Sequence, residues 1–308
     1  MPESRRRLLV AGKIPTELRD RLNGEYELVE LDEASGHHPD DFEVLVTTSV
    51  DGASSQLMDE WPRLKLIACN GAGLDQIDMA AARARGIRVA NTPDAVTSDT
   101  ADFALGLMYA LARNITAGDT YIRSGRWTSG KMSPSTRVRG KRLGIVGFGK
   151  IGSTIAVRAA AMGMSVAYCT RRRIDRAPFR HYQNIVELAH ASDFLVLACP
   201  GGEETRHLVN AAVLGALGAS GYLINVARGS VVDEEALLGA LARHDIAGAA
   251  LDVFENEPAI DPRFLDCDNV VLTPHIAAIT HETRSDIAET LAAAIEDHFT
   301  QTIPSPNA

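Results

Sequence analysis

The chain has 308 residues, 45% of them hydrophobic and 23% charged, a balance that excludes a disordered chain, a collagen-like repeat or a disulfide-packed miniprotein. Its 31 Lys and Arg against 40 Asp and Glu leave a formal charge of −9, which repels phosphate backbones and argues against nucleic acid as a main partner. The length exceeds what one core usually fills and implies two domains.

The N-terminal stretch Met1–Arg7 is basic, and the short run Leu8–Ala11 after it lacks the form of a signal-peptide core. No apolar run approaches the roughly 20 residues that span a bilayer, so no membrane partner and a cytoplasmic protein are expected. Strand-like runs follow at Tyr26–Leu31, Val44–Thr48, Leu64–Cys69 and Ile87–Ala90, with helical stretches at Pro15–Asn23 and Met79–Arg85 between them. A long amphipathic helix is predicted from Thr97 to about Ser124. The segment Gly125–Gly140 contains no acidic residue, reads as an exposed loop, and leads into a second domain near Lys141.

Strand-like runs then recur at Arg142–Val146, Ser165–Thr170, Phe194–Ala198, Tyr222–Val226, Ala249–Val253 and Val270–Thr273, and a final helix covers Glu282–Phe299 before a Pro-containing tail. Most of these runs are apolar on both faces, as in parallel sheets covered by helices, so the fold class is α/β. The four cysteines, Cys69, Cys169, Cys199 and Cys267, form no CxxC pair. Neither a zinc site nor a disulfide framework is expected.

The run Leu143–Val146 passes into Gly147-Phe148-Gly149-Lys150-Ile151-Gly152 and then a helical stretch. This GxGxxG sits between strand and helix. The first glycine permits the turn, the second lets backbone approach a pyrophosphate, and the third lets helix and strand pack closely. A dinucleotide site is the reading. The next strand should end in an acid that grips a ribose 2′-hydroxyl, but here it ends in Thr170-Arg171-Arg172-Arg173. Guanidinium groups pair with a 2′-phosphate, so NADP(H) is favoured over NAD(H).

Three further segments place polar groups just beyond apolar strands: Asn225-Val226-Ala227-Arg228-Gly229, Asp252-Val253-Phe254-Glu255-Asn256-Glu257-Pro258 and Thr273-Pro274-His275-Ile276-Ala277. A reduction served by a dinucleotide needs a hydride donor, a proton donor and a clamp for the substrate. An imidazole exchanges protons near neutral pH, which suits His275 to the second task. Glu257 can orient the imidazole, with Glu255 as its rival. Arg228 can hold a carboxylate and polarise a ketone.

On these motifs, with VGFGKIG, TRHLVN, NVARGSVVDEEAL, GAALDVFENEP and LTPHIA in order, the chain resembles the D-isomer-specific 2-hydroxyacid dehydrogenase family over nearly its whole length. The nearest branch is the NADPH-dependent hydroxypyruvate/glyoxylate reductases, which includes hydroxyphenylpyruvate reductases. The resemblance implies two Rossmann-like lobes with the active site in the cleft between them. It implies a substrate-binding domain at 1–96, completed by 284–308, and a dinucleotide-binding domain at 97–283.

The resemblance further implies that Arg228, Glu257 and His275 are catalytic, and that Arg228 with the Ala72–Gly73 turn binds substrate. It places Gly147, Gly149, Lys150, Ile151, Gly152, Thr170, Arg171, Arg172, Ala227 and Asp252 against the coenzyme, Asp252 at the nicotinamide amide. No metal is implied. A homodimer is expected through the long helix and the 115–140 segment, where Trp127, Met132 and Val138 look exposed.

Two departures stand out. Ala277-Ala278 occurs where relatives often have Gly and Ser, and Gly201-Gly202 replaces a bulkier pair. The implied activity is reduction of glyoxylate, hydroxypyruvate or a related 2-oxo acid to the D-2-hydroxy acid. A catalytically silent NAD(P)-binding regulator and an NAD-linked 3-phosphoglycerate dehydrogenase-like enzyme are the alternatives.

Overall fold

A computed structural model describes residues 5–175 and 177–301; the first four residues and the Pro-containing tail noted above lie outside them. The chain divides into two compact units, Met1–Val96 with Ile279–Ala308, and Thr97–Ala278.

In the first unit the elements are β1 (Arg7–Val10), α1 (Thr16–Asn23), β2 (Glu27–Glu30), β3 (Val44–Thr48), α2 (Ser55–Glu60), β4 (Leu66–Asn70), α3 (Met79–Ala84) and β5 (Arg88–Ala90). They form a parallel five-stranded sheet in the order β2-β1-β3-β4-β5. All five residues of β3 are buried, as a central strand covered on both faces requires.

Helix α4 (Pro93–Ala112) carries the chain into the second unit. There follow α5 (Ile115–Arg123), β6 (Arg142–Val146), α6 (Lys150–Ala161), β7 (Ser165–Cys169), β8 (Arg180–Tyr182), α7 (Ile185–His190) and β9 (Phe194–Leu197). Next come α8 (Ala211–Leu217), β10 (Tyr222–Asn225), α9 (Glu234–Ala242), β11 (Gly248–Leu251) and β12 (Val270–Leu272). Helix α10 (His281–Gln301) returns to the first unit, where Arg88 binds Asp297 at 3.0 Å. The second sheet is also parallel, ordered β12-β11-β10-β9-β6-β7-β8. The strand order reverses at β6, and ligands of open α/β sheets bind beyond the carboxyl ends at such a point.

Three sequence expectations need correction. The helix predicted from Thr97 to Ser124 is two helices: the chain breaks at Asn114, whose φ is 52°, a left-handed conformation that asparagine tolerates better than most residues. The second unit does not begin near Lys141, which marks only its first strand. Ala101, Ala104, Leu107, Met108 and Leu111 of α4 pack in one core with Leu143 and Ile145 of β6. Val138 is not exposed, since it is 2% accessible within that core; its apolar side chain tethers an otherwise solvated loop.

Candidate active site

The glycine loop closes the end of β6. Gly147 has φ 89° and donates its N–H to the Cys169 carbonyl at 2.9 Å. A Cβ there would lie 2.6 Å from the Cys199 backbone, and one on Gly152 would lie 2.2 Å from the Gly147 carbonyl oxygen. The first and third glycines are therefore required by packing alone. Gly149 differs: nothing lies within 4 Å of a Cβ built on it. Its bare backbone borders open space at the N-terminus of α6, which no side chain caps. That cradle fits a dinucleotide diphosphate, held by backbone N–H groups and the helix dipole. Lys150 and Ile151 form the first turn of α6. Phe148 anchors the loop by stacking on buried Tyr168, ring centroids 4.1 Å apart.

After β7 the turn 170–174 is built by its own side chains. Thr170 donates its hydroxyl to the Arg172 carbonyl at 2.6 Å, and the Tyr168 hydroxyl accepts the Ile174 N–H at 3.0 Å. The Thr170 hydroxyl proton is thus used within the turn. Arg171, Arg172 and Arg173 are exposed, and Arg171 pairs with Glu204.

Arg228, Glu257 and His275 lie beyond β10, β11 and β12 respectively, at the carboxyl ends of three adjacent strands. His275 donates Nδ1–H to Glu257 Oε2 at 2.7 Å, and Glu257 Oε1 accepts the Phe254 N–H at 2.8 Å. Partial burial alone would raise the Glu257 pKa, but these two hydrogen bonds and the His275 and Arg228 charges outweigh it and hold the carboxyl below its ordinary range. The rival, Glu255, binds Arg206 at 2.7 Å and His207 at 3.1 Å instead. The loops carrying Arg228 and Glu257 touch: a Cβ on Gly229 would lie 1.8 Å from the Phe254 carbonyl carbon. Arg228 donates Nη1–H to the Ala227 carbonyl at 2.8 Å, and Asn225 Nδ2 donates to the Arg228 carbonyl at 3.0 Å.

Sequence reasoning understated Asp252. It is 1% exposed, and its carboxylate accepts Thr273 Oγ1–H at 2.7 Å, Ile276 N–H at 2.9 Å and Ala277 N–H at 2.9 Å. Its carbonyl takes the His275 N–H at 2.8 Å. These four bonds hold the histidine loop, in which His275 has φ 53°, a strained conformation for a residue with a Cβ. The signal available in the sequence was an acid ending a buried strand, with polar turn residues on the neighbouring one. Ala277 is 6% exposed and packs in the core. Beside the His275–Glu257 pair is a cavity of about 300 Å³ walled largely by Phe254, Pro258, Ile260, Leu265, Leu272 and Pro274. Apolar walls strengthen the hydrogen bond they border.

In the first unit, Gly71 (φ 128°) follows β4. The Gly71 carbonyl accepts the Thr92 N–H at 3.0 Å, and the Ala72 carbonyl accepts Asn91 Nδ2–H at 2.8 Å. A trans peptide points its N–H opposite its C=O, so the N–H groups of Ala72 and Gly73 both face away from residues 91–92. Two adjacent N–H groups turned the same way are the kind of donor pair from which an anion nest is built.

A doubly wound sheet with a glycine-loop dinucleotide cradle and an imidazole–carboxylate pair at neighbouring strand ends defines a coenzyme-dependent oxidoreductase. Residues 105–277 match the family described as D-isomer specific 2-hydroxyacid dehydrogenase, NAD binding domain. Glyoxylate/hydroxypyruvate reductase A of Arabidopsis thaliana is 42% identical over 85% of this chain and 84% of its own. The hydroxyphenylpyruvate reductase of Plectranthus scutellarioides is 42% identical over 83% and 82%. A crystal structure of an NADPH-dependent glyoxylate/hydroxypyruvate reductase from Sinorhizobium meliloti, in complex with NADP and malonate, superposes with a TM-score of 0.90 at 39% identity, covering 96% and 94% of the two chains. The chain belongs to the D-isomer specific 2-hydroxyacid dehydrogenases, in their glyoxylate/hydroxypyruvate reductase-like branch. It is an oxidoreductase that uses a nicotinamide coenzyme and reduces 2-oxo acids.

Proposed function

We propose that this protein reduces glyoxylate, hydroxypyruvate or a closely related 2-oxo acid to the D-2-hydroxy acid, with NADPH in preference to NADH, as a homodimer in the cytoplasm. The observation that carries the chemistry is the 2.7 Å bond from His275 Nδ1 to an ionised Glu257. With Nδ1–H committed to the carboxylate, the opposite nitrogen, Nε2, is the one that delivers a proton to the ketone oxygen. Glu257 stabilises the imidazolium before that transfer. Arg228 holds the substrate carboxylate and draws electron density from the ketone, and the Ala72 and Gly73 N–H groups supply further carboxylate donors. A bound nicotinamide supplies the hydride. Gly147, Gly149, Lys150, Ile151 and Gly152 would hold its diphosphate, Ala227 would lie along it, and Asp252, whose carboxylate braces the histidine loop, would meet the nicotinamide amide.

Three arginines and no carboxylate in the turn 171–173 support NADPH, as does the NADP named with the Sinorhizobium meliloti structure. The same turn counts against an NAD-linked 3-phosphoglycerate dehydrogenase-like enzyme, and the assembled His275–Glu257 pair counts against a silent regulator. For the dimer, α5 has no buried residue, and Ile115, Ile122 and Trp127 are 55%, 59% and 66% exposed. These exposed apolar side chains support an interaction site on this side of the chain.

Steady-state kinetics on a panel of 2-oxo acids, each with NADPH and NADH, tests the proposal. The expected result is turnover of at least one small 2-oxo acid, more efficient with NADPH. Thr170→Asp places a negative charge beside the 2′-phosphate and should cut NADPH efficiency about tenfold or more. Equal efficiency with NADH in the wild type would refute the coenzyme assignment, and absence of turnover on every acid would refute the reaction.

A further inference from the structure

The turn after β7 carries Arg171, and the turn after β9 carries Glu204. Strands β7 and β9 flank β6 on opposite sides, and the glycine loop at the end of β6 is wedged between them. Gly147 donates to the Cys169 carbonyl on one side, and its Cα lies against the Cys199 backbone on the other. The Arg171–Glu204 ion pair therefore spans from one flanking strand to the other, across the strand whose loop cradles the coenzyme. Both ends stand on braced turns. Thr170 Oγ1–H to the Arg172 carbonyl holds one, and Thr205 Oγ1–H to the Pro200 carbonyl at 2.8 Å holds the other. Arg172 and Arg173 make no ion pair with a carboxylate among the described residues.

We propose that Glu204 is a specificity-determining residue: it occupies Arg171 as a carboxylate counter-ion that a coenzyme 2′-phosphate must displace, and so limits how strongly the protein selects NADPH. This rests on the NADPH assignment above. The physical basis is competition for one guanidinium. A carboxylate and a phosphate both pair with arginine, and each repels the other where they meet. A coenzyme lacking the 2′-phosphate makes no such demand on Arg171. Arg171 and Glu204 are 84% and 75% exposed, so the pair is weak and readily broken. The exchange tunes affinity rather than blocking entry.

The test is calorimetric titration of the full chain with 2′,5′-ADP, which carries the 2′-phosphate, and with 5′-AMP, which does not. Glu204→Gln should bind 2′,5′-ADP roughly two- to fivefold more tightly, the range that loss of one exposed ion pair allows. Its 5′-AMP affinity should stay within error, and KM for NADPH should fall relative to KM for NADH. Glu204→Arg, which adds a cation, should extend the same trend. Unchanged or weaker 2′,5′-ADP binding by Glu204→Gln, in a wild type that prefers 2′,5′-ADP to 5′-AMP, would overturn the role of Glu204. A wild type that binds both nucleotides equally would overturn the NADPH assignment beneath it.

Discussion

In the proposed reaction, proton delivery depends on one carboxylate staying ionised beside one imidazole. Glu257 achieves this although burial works against it, because His275, the Phe254 N–H and the Arg228 charge all favour the anion. Glu257→Gln keeps the shape but removes that charge, and kcat should fall about 10²- to 10⁴-fold, measured at saturating substrate with the purified variant. The same substitution carries a stability signature. A carboxyl held below its ordinary value stabilises the fold above that value, and the contribution fades as pH falls through the lowered one. The deficit of Glu257→Gln in thermal melts should therefore be full above pH 4.5, the ordinary glutamic acid value, and should shrink on further acidification. Burial pushes the Cys199 thiol up to about 11, so it stays protonated near neutral pH and is no candidate nucleophile.

The loop after β12 is the element on which geometry depends most. It presents His275 from a left-handed backbone, which a free loop would relax. Asp252 prevents this with two backbone N–H groups and one hydroxyl as donors. Asp252→Asn replaces an acceptor oxygen by an NH₂ that must face a donor. Urea melts should show a loss of about 1–3 kcal/mol, and kcat should fall with it as His275 loses its bearing. Much of this site was legible in the chain, since Arg228, Glu257 and His275 each sit in a short motif just past an apolar run. The choice of Glu257 over Glu255 was not legible from spacing, because it turns on which way each carboxylate faces. Glu255 is drawn to Arg206 and His207, residues about fifty positions away. Most strands were also readable from apolar runs. The three-residue β8, Arg180–Tyr182, was missed because it is short and polar and lies at the sheet edge, where one side needs no apolar cover.

For the molecule as a whole, the exposed face of α5 and Trp127 bears on assembly. Ile122→Arg combined with Trp127→Glu should shift the species in size-exclusion chromatography with light scattering from about twice 33.1 kDa to 33.1 kDa, the mass of one chain. A wild type that is already monomeric would remove the dimer from the proposal. The division into units follows packing rather than composition. The acid-free segment before Lys141 looked like a boundary, yet α4 on its N-terminal side shares a core with β6 on the other. Composition reports solvation of a segment, whereas a unit is defined by which apolar faces bury one another.

By itself the sequence determined the α/β class, the glycine cradle and three candidate side chains at strand ends, because each is written in neighbouring residues whose spacing matches a strand, a turn or a helix start. Only the tertiary structure decided that His275 meets Glu257, that Asp252 braces the histidine loop, that the long helix breaks at Asn114 and that Arg171 faces Glu204. All but the helix break join residues brought close by parallel strand register, such as Leu251 beside Leu272. Parallel partners are joined by long crossovers, so which residues face one another depends on how the whole sheet packs and not on neighbours in the chain.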